Sequence, residues 1–144
     1  MGFHILKVKT EKRELGDFGE KAAARFLKRE GYKIVERNFE CDEGEVDIIC
    51  RDRTTLAFVE VKTRTVGHES KFEGRPASAV TLEKQKKLVK CAALYGGLRG
   101  RGYKLRLDIV EVFVDGSGKR PRVEKINHLV GAFDGSVLSN KHLR

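Results

Sequence analysis

The sequence lacks most of the features that would place a chain in a specialised class. Its 144 residues include three cysteines, Cys41, Cys50 and Cys91. An odd count without a Cys-x-x-Cys pair argues against both a disulfide framework and a zinc site. Cys50 and Cys91 fall within apolar patterns and read as small core residues, while Cys41 falls in a turn-rich stretch and has no assigned role. No apolar run approaches the roughly 20 residues needed to span a bilayer. The N-terminus, Met1-Gly2-Phe3-His4-Ile5-Leu6, lacks the basic region and long apolar stretch of a signal peptide. The chain is therefore expected in the cytoplasm and off the membrane. His4, His68, His128 and His142 show no ligand spacing, and the Gly-Lys-Ser/Thr of a P-loop is missing. No internal repeat or low-complexity tract is present.

What the chain does have is charge. Thirty Lys and Arg against 21 Asp and Glu leave +9 at pH 7, beside 40% hydrophobic residues. That excess favours an anionic partner, of which nucleic acid is the commonest for a soluble chain. The length suits one domain, residues 1–144, able to bury a core without staples. The core is expected over about 11–126, and the tail, 127–144, resists assignment.

Leu15, Phe18, Ala22 and Phe26 follow helical spacing and predict a helix from about Glu11 to Glu30, with Gly31 as its stop. Tyr32 to Phe39 reads as a strand, followed by the turn-rich Cys41-Asp42-Glu43-Gly44. Glu45 to Arg51 and Thr55 to Thr63 are the clearest strands, joined across Asp52-Arg53-Thr54. The second of them is apolar on both faces, as a strand in a covered sheet must be. Val66 to Pro76 reads as a loop. A second helix is predicted from about Ser78 to Tyr95, ended by a flexible basic loop over Gly96–Gly102. Tyr103 to Val114 and Arg122 to Ile126 complete the order: α/β, α-β-β-β-α-β-β, with a mixed sheet flanked by helices.

The chemistry concentrates on one hairpin. If its loop has an even number of residues, Ile49 faces Phe58, Asp47 faces Glu60 and Glu45 faces Lys62, all on one face of the sheet. Opposed like charges destabilise a sheet, so two such carboxylates need a cation, a shared proton or a basic partner. A hard divalent ion meets that need, since Mg²⁺ takes carboxylate oxygens and keeps several waters. Lys62 lies two residues beyond Glu60 and can reach a phosphate or an attacking water. These are the parts of metal-assisted phosphodiester hydrolysis. The competing account of Glu-x-Lys is a solvated ion pair, and an odd loop would turn Asp47 away. Glu20 heads a helical row with Ala23, Ala24 and Leu27, small enough beneath it for close approach to a sheet; the alternative is a surface glutamate.

Gly19-Glu20, Gly31-Tyr32, Arg37-Asn38, Gly44-Glu45-Val46-Asp47-Ile48-Ile49 and Phe58-Val59-Glu60-Val61-Lys62-Thr63-Arg64 resemble, in that order, the YraN-like family. The likeness continues through Ala79-Val80, Lys84, Leu88, Ala92 and Tyr95. These are small bacterial proteins of uncharacterised function, predicted to be endonucleases and similar to restriction-endonuclease-like enzymes, particularly Holliday-junction resolvases. The resemblance implies an α-β-β-β-α-β core and a Glu…Asp…Glu-x-Lys site at Glu20, Asp47, Glu60 and Lys62. It implies that Asp47, Glu60 and the Val61 carbonyl hold Mg²⁺ or Mn²⁺, with Glu20 as a direct or water-linked ligand, and that Lys62 orients the water. Glu40 departs from the basic residue expected after Arg-Asn, which puts a substrate contact there in doubt.

Arg64, Arg75, Lys84, Lys86, Lys87, Arg99 and Arg101 are candidates for tracking a phosphate backbone; the competing account is a solvated helix face and loop. The expected function is a Mg²⁺-dependent endonuclease on DNA, branched or single-stranded. The alternative is a nucleic-acid-binding module on a catalytically idle nuclease-like fold. A homodimer fits the resolvase likeness, although no stretch marks a dimer surface.

Overall fold

The computed structural model describes residues 2–66 and 80–139, of which residues 2–10 are described as backbone alone. Helix α1 (Gly2–Arg29) begins earlier than its periodicity predicts. Its apolar face, from Leu15 through Phe18, Ala22 and Phe26, packs with the buried Ala23, Ala24 and Leu27. The helix ends on Lys28 and Arg29, cations suited to its negative pole. Gly31, at φ +100°, then reverses the chain. Its amide returns to the Lys28 carbonyl and that of Tyr32 to the Leu27 carbonyl, at 3.1 and 3.0 Å. This pair of bonds is a Schellman cap, which needs the left-handed residue that glycine supplies.

Five strands follow in spatial order β1-β2-β3-β4-β5. They are β1 (Lys33–Cys41), β2 (Gly44–Arg51), β3 (Thr55–Thr65), β4 (Lys104–Asp115) and β5 (Arg122–Phe133). Helix α2 (Leu82–Arg99) crosses between β3 and β4, the one parallel pair. A crossover is what parallel neighbours require. The β2–β3 turn is held by Asp52, whose carboxylate accepts the amides of Thr54 and Thr55 at 2.9 and 2.8 Å. With Asp52 and Thr55 bonded across it, the loop is even, and Ile49 pairs with Phe58 as the sequence predicts.

Side chains alternate across the sheet. One set, including Ile49, Phe58, Leu107 and Ile109, packs with Leu88, Val89, Cys91, Ala92 and Tyr95 of α2. The other, including Ile48, Cys50, Ala57, Val59 and Val110, packs under α1. The result is an α/β sandwich with the α-β-β-β-α-β order of a restriction-endonuclease-like core, extended by β5.

Two sequence expectations are corrected. α2 does not stop at Tyr95: it continues through Gly96 and Gly97 to Arg99. These glycines do not break the helix. A Cβ on Gly96 would lie 2.6 Å from Leu105, and one on Gly100, the cap, 2.9 Å from Leu56, so glycine here lets the helix end settle on β3 and β4. β5 runs to Phe133 rather than Ile126, bonded along most of β4, and a 3-10 turn (Gly135–Leu138) follows. Helix α2 begins at Leu82 behind the N-cap Thr81, whose hydroxyl accepts from the Lys84 amide at 3.2 Å. The Val66–Pro76 loop falls, from residue 67 on, outside the described residues, as do the expected helix start at Ser78 and Ala79. Among the described residues, no helix is long and apolar enough to cross a membrane.

Candidate functional site

The β2–β3 ladder stops just before the two carboxylates. Its last pair is Ile48 with Val59, and there β2 changes the side it presents. Val46 belongs to the core under α2, as Ile49 does, while Ile48 lies under α1. Strict alternation cannot put Val46 and Ile48 on opposite faces, so the strand is irregular at Asp47. Across from that break on β1 sits Asn38, at φ +53°, a conformation asparagine tolerates better than most residues. The expectation that six residues from Glu45 to Lys62 share one face is therefore corrected. Glu45 is paired with Glu40 on β1, not with Lys62.

In the opening, Asp47 Oδ2 accepts the Val61 amide at 2.8 Å. A strand residue presents its N–H and C=O toward the same neighbour, so the Val61 carbonyl faces the same gap. Glu60 adjoins it and is only 4% exposed. Its Oε2 lies 3.6 Å from Lys62 Nζ and 3.8 Å from Lys84 Nζ, while its buried Oε1 has no hydrogen-bond partner. Burial, and next the Asp47 charge, push the Glu60 carboxyl up to about 7, against the pull of Lys84 and Lys62. A group so placed favours a proton or a bound cation.

Glu20 reaches the same corner because of Gly19. A Cβ at Gly19 would stand 1.9 Å from Thr63 Oγ1; without one, α1 lies directly on β3. Glu20 Oε1 is then 3.6 Å from Arg37. The Asn38 amide nitrogen, correctly oriented, spans Glu20 and Glu45 at 3.1 and 3.2 Å. Burial first, then Asp47, raise the Glu20 pKa, opposed by Arg37. A cleft of about 570 Å³ joins Glu20, Asp47, Glu60, Val61 and Lys62. Among the described residues, no three acidic, His or Cys side chains converge closely enough to hold a metal by themselves. Two carboxylates and a carbonyl, completed by water, nevertheless fit a hard divalent ion, and the partnerless Glu60 Oε1 is an oxygen that such an ion would satisfy.

The basic candidates separate. Lys84 reaches Glu60 from α2. Arg64 donates through Nε to Glu111, which is fully buried. Lys86 is half-buried, and Lys87 pairs with Glu83 at 4.0 Å. Arg99 ends α2, about 22 Å along the helix from Lys84 at 1.5 Å per residue, and Arg101 lies just beyond it. Arg75 lies outside the described residues. Sequence reasoning missed the contacts of Arg37 with Glu20 and of Lys84 with Glu60, and the buried Glu111; an ionisable residue inside the apolar Tyr103–Val114 strand was the available signal for the last.

That same strand carries a second buried carboxylate, Asp108, on the α1 side of the sheet. It accepts Arg106 through two bonds of 2.9 and 2.8 Å, His128 Nε2 at 2.8 Å and the Gly131 amide at 2.9 Å. Tyr32 and Phe26 set their rings edge-on to His128, and Tyr32 OH accepts from Arg106 at 2.8 Å. Burial works to raise the Asp108 pKa, but the bonds from His128, Arg106 and Gly131 outweigh it and hold the carboxyl low.

Comparison with known proteins gives a consistent result. The profile of the uncharacterised protein family UPF0102 matches residues 19–112, which span all the carboxylates of the cleft. A UPF0102 protein of Caldanaerobacter subterraneus subsp. tengcongensis is 42% identical over 126 residues, covering 87% of this chain and 98% of the relative. One from Desulfosudis oleivorans is 40% identical over 132 residues, covering 91% and 98%. A third, from Caldicellulosiruptor saccharolyticus, is 42% identical and covers 85% and 98%.

Proposed function

The chain belongs to the uncharacterised protein family UPF0102, and we propose that it is a divalent-metal-dependent endonuclease acting on DNA, branched or single-stranded. One observation carries the proposal: a buried glutamate with a partnerless oxygen, set against an aspartate where a β-ladder opens. Left alone, that arrangement is electrostatically costly. It becomes favourable once a cation joins the carboxylates.

In this reading Asp47, Glu60 and the Val61 carbonyl hold Mg²⁺ or Mn²⁺, and Glu20 adds a ligand directly or through water. The ion, when bound, supplies an activated water and charge neutralisation at the phosphate. Lys62 orients the attacking water and offsets the charge that develops on the phosphate oxygens. Lys84, which approaches the same Glu60 oxygen as Lys62, favours the charged carboxylate that a cation needs. Arg37 holds Glu20 toward the cleft. Arg64 is steadied by Glu111 and offers its cation to a neighbouring backbone phosphate. The net charge of +9 draws the polyanion in, and the same reading places the protein in the cytoplasm beside it, as a monomer or a homodimer.

The test is direct. Purified protein is incubated with junction, flap, single-strand and duplex substrates in Mg²⁺ or Mn²⁺. Cleavage of at least one is expected, with loss of two or more orders of magnitude in Asp47→Ala and Lys62→Ala. Undiminished cleavage by either variant, or none by the wild type on any substrate, would overturn the proposal.

A further inference from the structure

Cys41 ends β1 beside the turn at Asp42 and Glu43, and Cys91 lies midway along α2. They are 50 positions apart in sequence, yet their sulfurs stand 2.6 Å apart. That is nearer the roughly 2.05 Å of a disulfide bond than the about 4 Å of ordinary side-chain packing. Neighbours on both sides fix the approach. Phe39, two residues earlier on β1, meets Tyr95, four residues later on α2, with ring centroids 5.1 Å apart. Glu43 reaches Lys90 at 3.8 Å, and a Cβ on Gly44 would lie 3.4 Å from Lys87. The end of β1 and the hairpin turn thus run along α2 from Tyr95 to Lys87, with the two thiols in the middle of the row.

We propose that Cys41 and Cys91 form a reversible disulfide that staples the β1–β2 hairpin to α2 when the protein meets hydrogen peroxide. Cys41 is half-buried and Cys91 fully buried, so the oxidant meets Cys41 first. Its sulfur attacks the peroxide, the O–O bond breaks, and a sulfenic acid and one water result. Cys91 sulfur then attacks Cys41 sulfur; the S–S bond forms, the S–O bond breaks, and the departing hydroxide takes the Cys91 proton as a second water. Two thiols are oxidised by two electrons and one hydrogen peroxide is reduced to two waters. Added thiol reverses the step and leaves as its own disulfide. Burial, and then Cys41, hold the Cys91 thiol up at about 12, which disfavours its direct attack on the oxidant and leaves its closeness to Cys41 to drive the second step. A reversible bond of this kind also agrees with a reducing compartment, where lasting disulfides are rare.

The staple ties together the elements that flank the candidate site: α2 carries Lys84 two turns before Cys91, and β2 carries Asp47 just beyond the hairpin turn. Cys50 lies buried on the opposite face under α1 and serves as an internal control.

The experiment treats the full chain with hydrogen peroxide, alkylates remaining thiols under denaturing conditions and measures intact mass. The fully reduced protein carries three alkyl groups, one for each free cysteine. The oxidised protein is expected to carry a single one, on Cys50, with a Cys41–Cys91 linked peptide in its digest and monomeric mass. Cys50→Ser keeps the link and Cys41→Ser loses it. The oxidised form should melt several degrees above the reduced one, because the bond closes a long loop. Three alkylated thiols after peroxide, a sulfinic acid at Cys41 with Cys91 free, disulfide between copies, or an unchanged melting temperature would each overturn the proposal. The wild-type digest is decisive even if a variant fails to fold, and no readout depends on cleavage.

Discussion

Glu60 and Asp108 are buried carboxylates on adjacent strands, one residue apart in register, and the fold treats them in opposite ways. Asp108 receives four hydrogen bonds from Arg106, His128 and Gly131, and its pKa falls. Glu60 receives two lysines at a distance, faces Asp47 and keeps one oxygen without a partner, and its pKa rises. Burial is common to both, so burial is not what marks a reactive corner. What differs is whether the protein completes the coordination of the charge. A completed carboxylate is a structural tie, here anchoring the irregular end of β5 through Gly131. An incomplete one is a standing demand for a proton or a cation.

The largest break in this comparison should come from Asp108. Its replacement by Ala leaves Arg106 and His128 without their carboxylate and should cost about 3–5 kcal/mol of stability, read by denaturant unfolding, with Mn²⁺ affinity unchanged in the folded fraction. Next comes Gly19→Ala, which forces α1 off Thr63 and should cost roughly 1–3 kcal/mol. It should also weaken cleavage more than a surface change does, because Glu20 moves with the helix. Glu60→Gln should act in the opposite direction, stabilising the metal-free protein at pH 8 by on the order of 1–2 kcal/mol while abolishing cleavage. Arg37→Ala should be smallest, below about 1 kcal/mol, since its pair with Glu20 is part-exposed.

The two carboxylates also predict opposite pH responses. The folded pKa of Asp108 lies below its unfolded value of 3.8. Its stabilisation is thus present above that value and lost as pH falls through the folded pKa. The folded pKa of Glu60 lies near 7 against 4.5 unfolded. Between these two values the native state binds the extra proton, so Glu60 lowers metal-free stability as pH rises from 4.5 to about 7, and the loss then levels off. Melting wild type and Glu60→Gln across pH 4–8 checks this: the two curves should diverge as pH rises, and parallel curves would count against the assignment.

Much of this corner was legible because local rules govern it. The even turn at Asp52–Thr55 fixes the Ile49–Phe58 register, alternation carries it outward, and alanines below Glu20 announce a close helix. The break at Asp47 was not legible, since it depends on the positive φ of Asn38 on another strand, which leaves no periodic trace. Lys84 looked like one of several lysines on a helix face; only the crossover from β3 to β4 brings it to Glu60. The glycines after Tyr95 read as a loop by composition, yet tertiary contacts with Leu105 and Leu56 decide their role. Asp108 went unremarked because its partners His128 and Gly131 lie 20 and 23 positions away on the next strand.

The proposal that Asp47 and Glu60 together hold a divalent cation can be tested without any substrate. Calorimetric titration of Mn²⁺ into the metal-free protein at pH 7.5, alongside Asp47→Asn and Glu60→Gln, tests it most directly. Saturable binding is expected for the wild type, and both variants should lose it while remaining folded. Binding of equal strength in all three proteins, or in none, would contradict it.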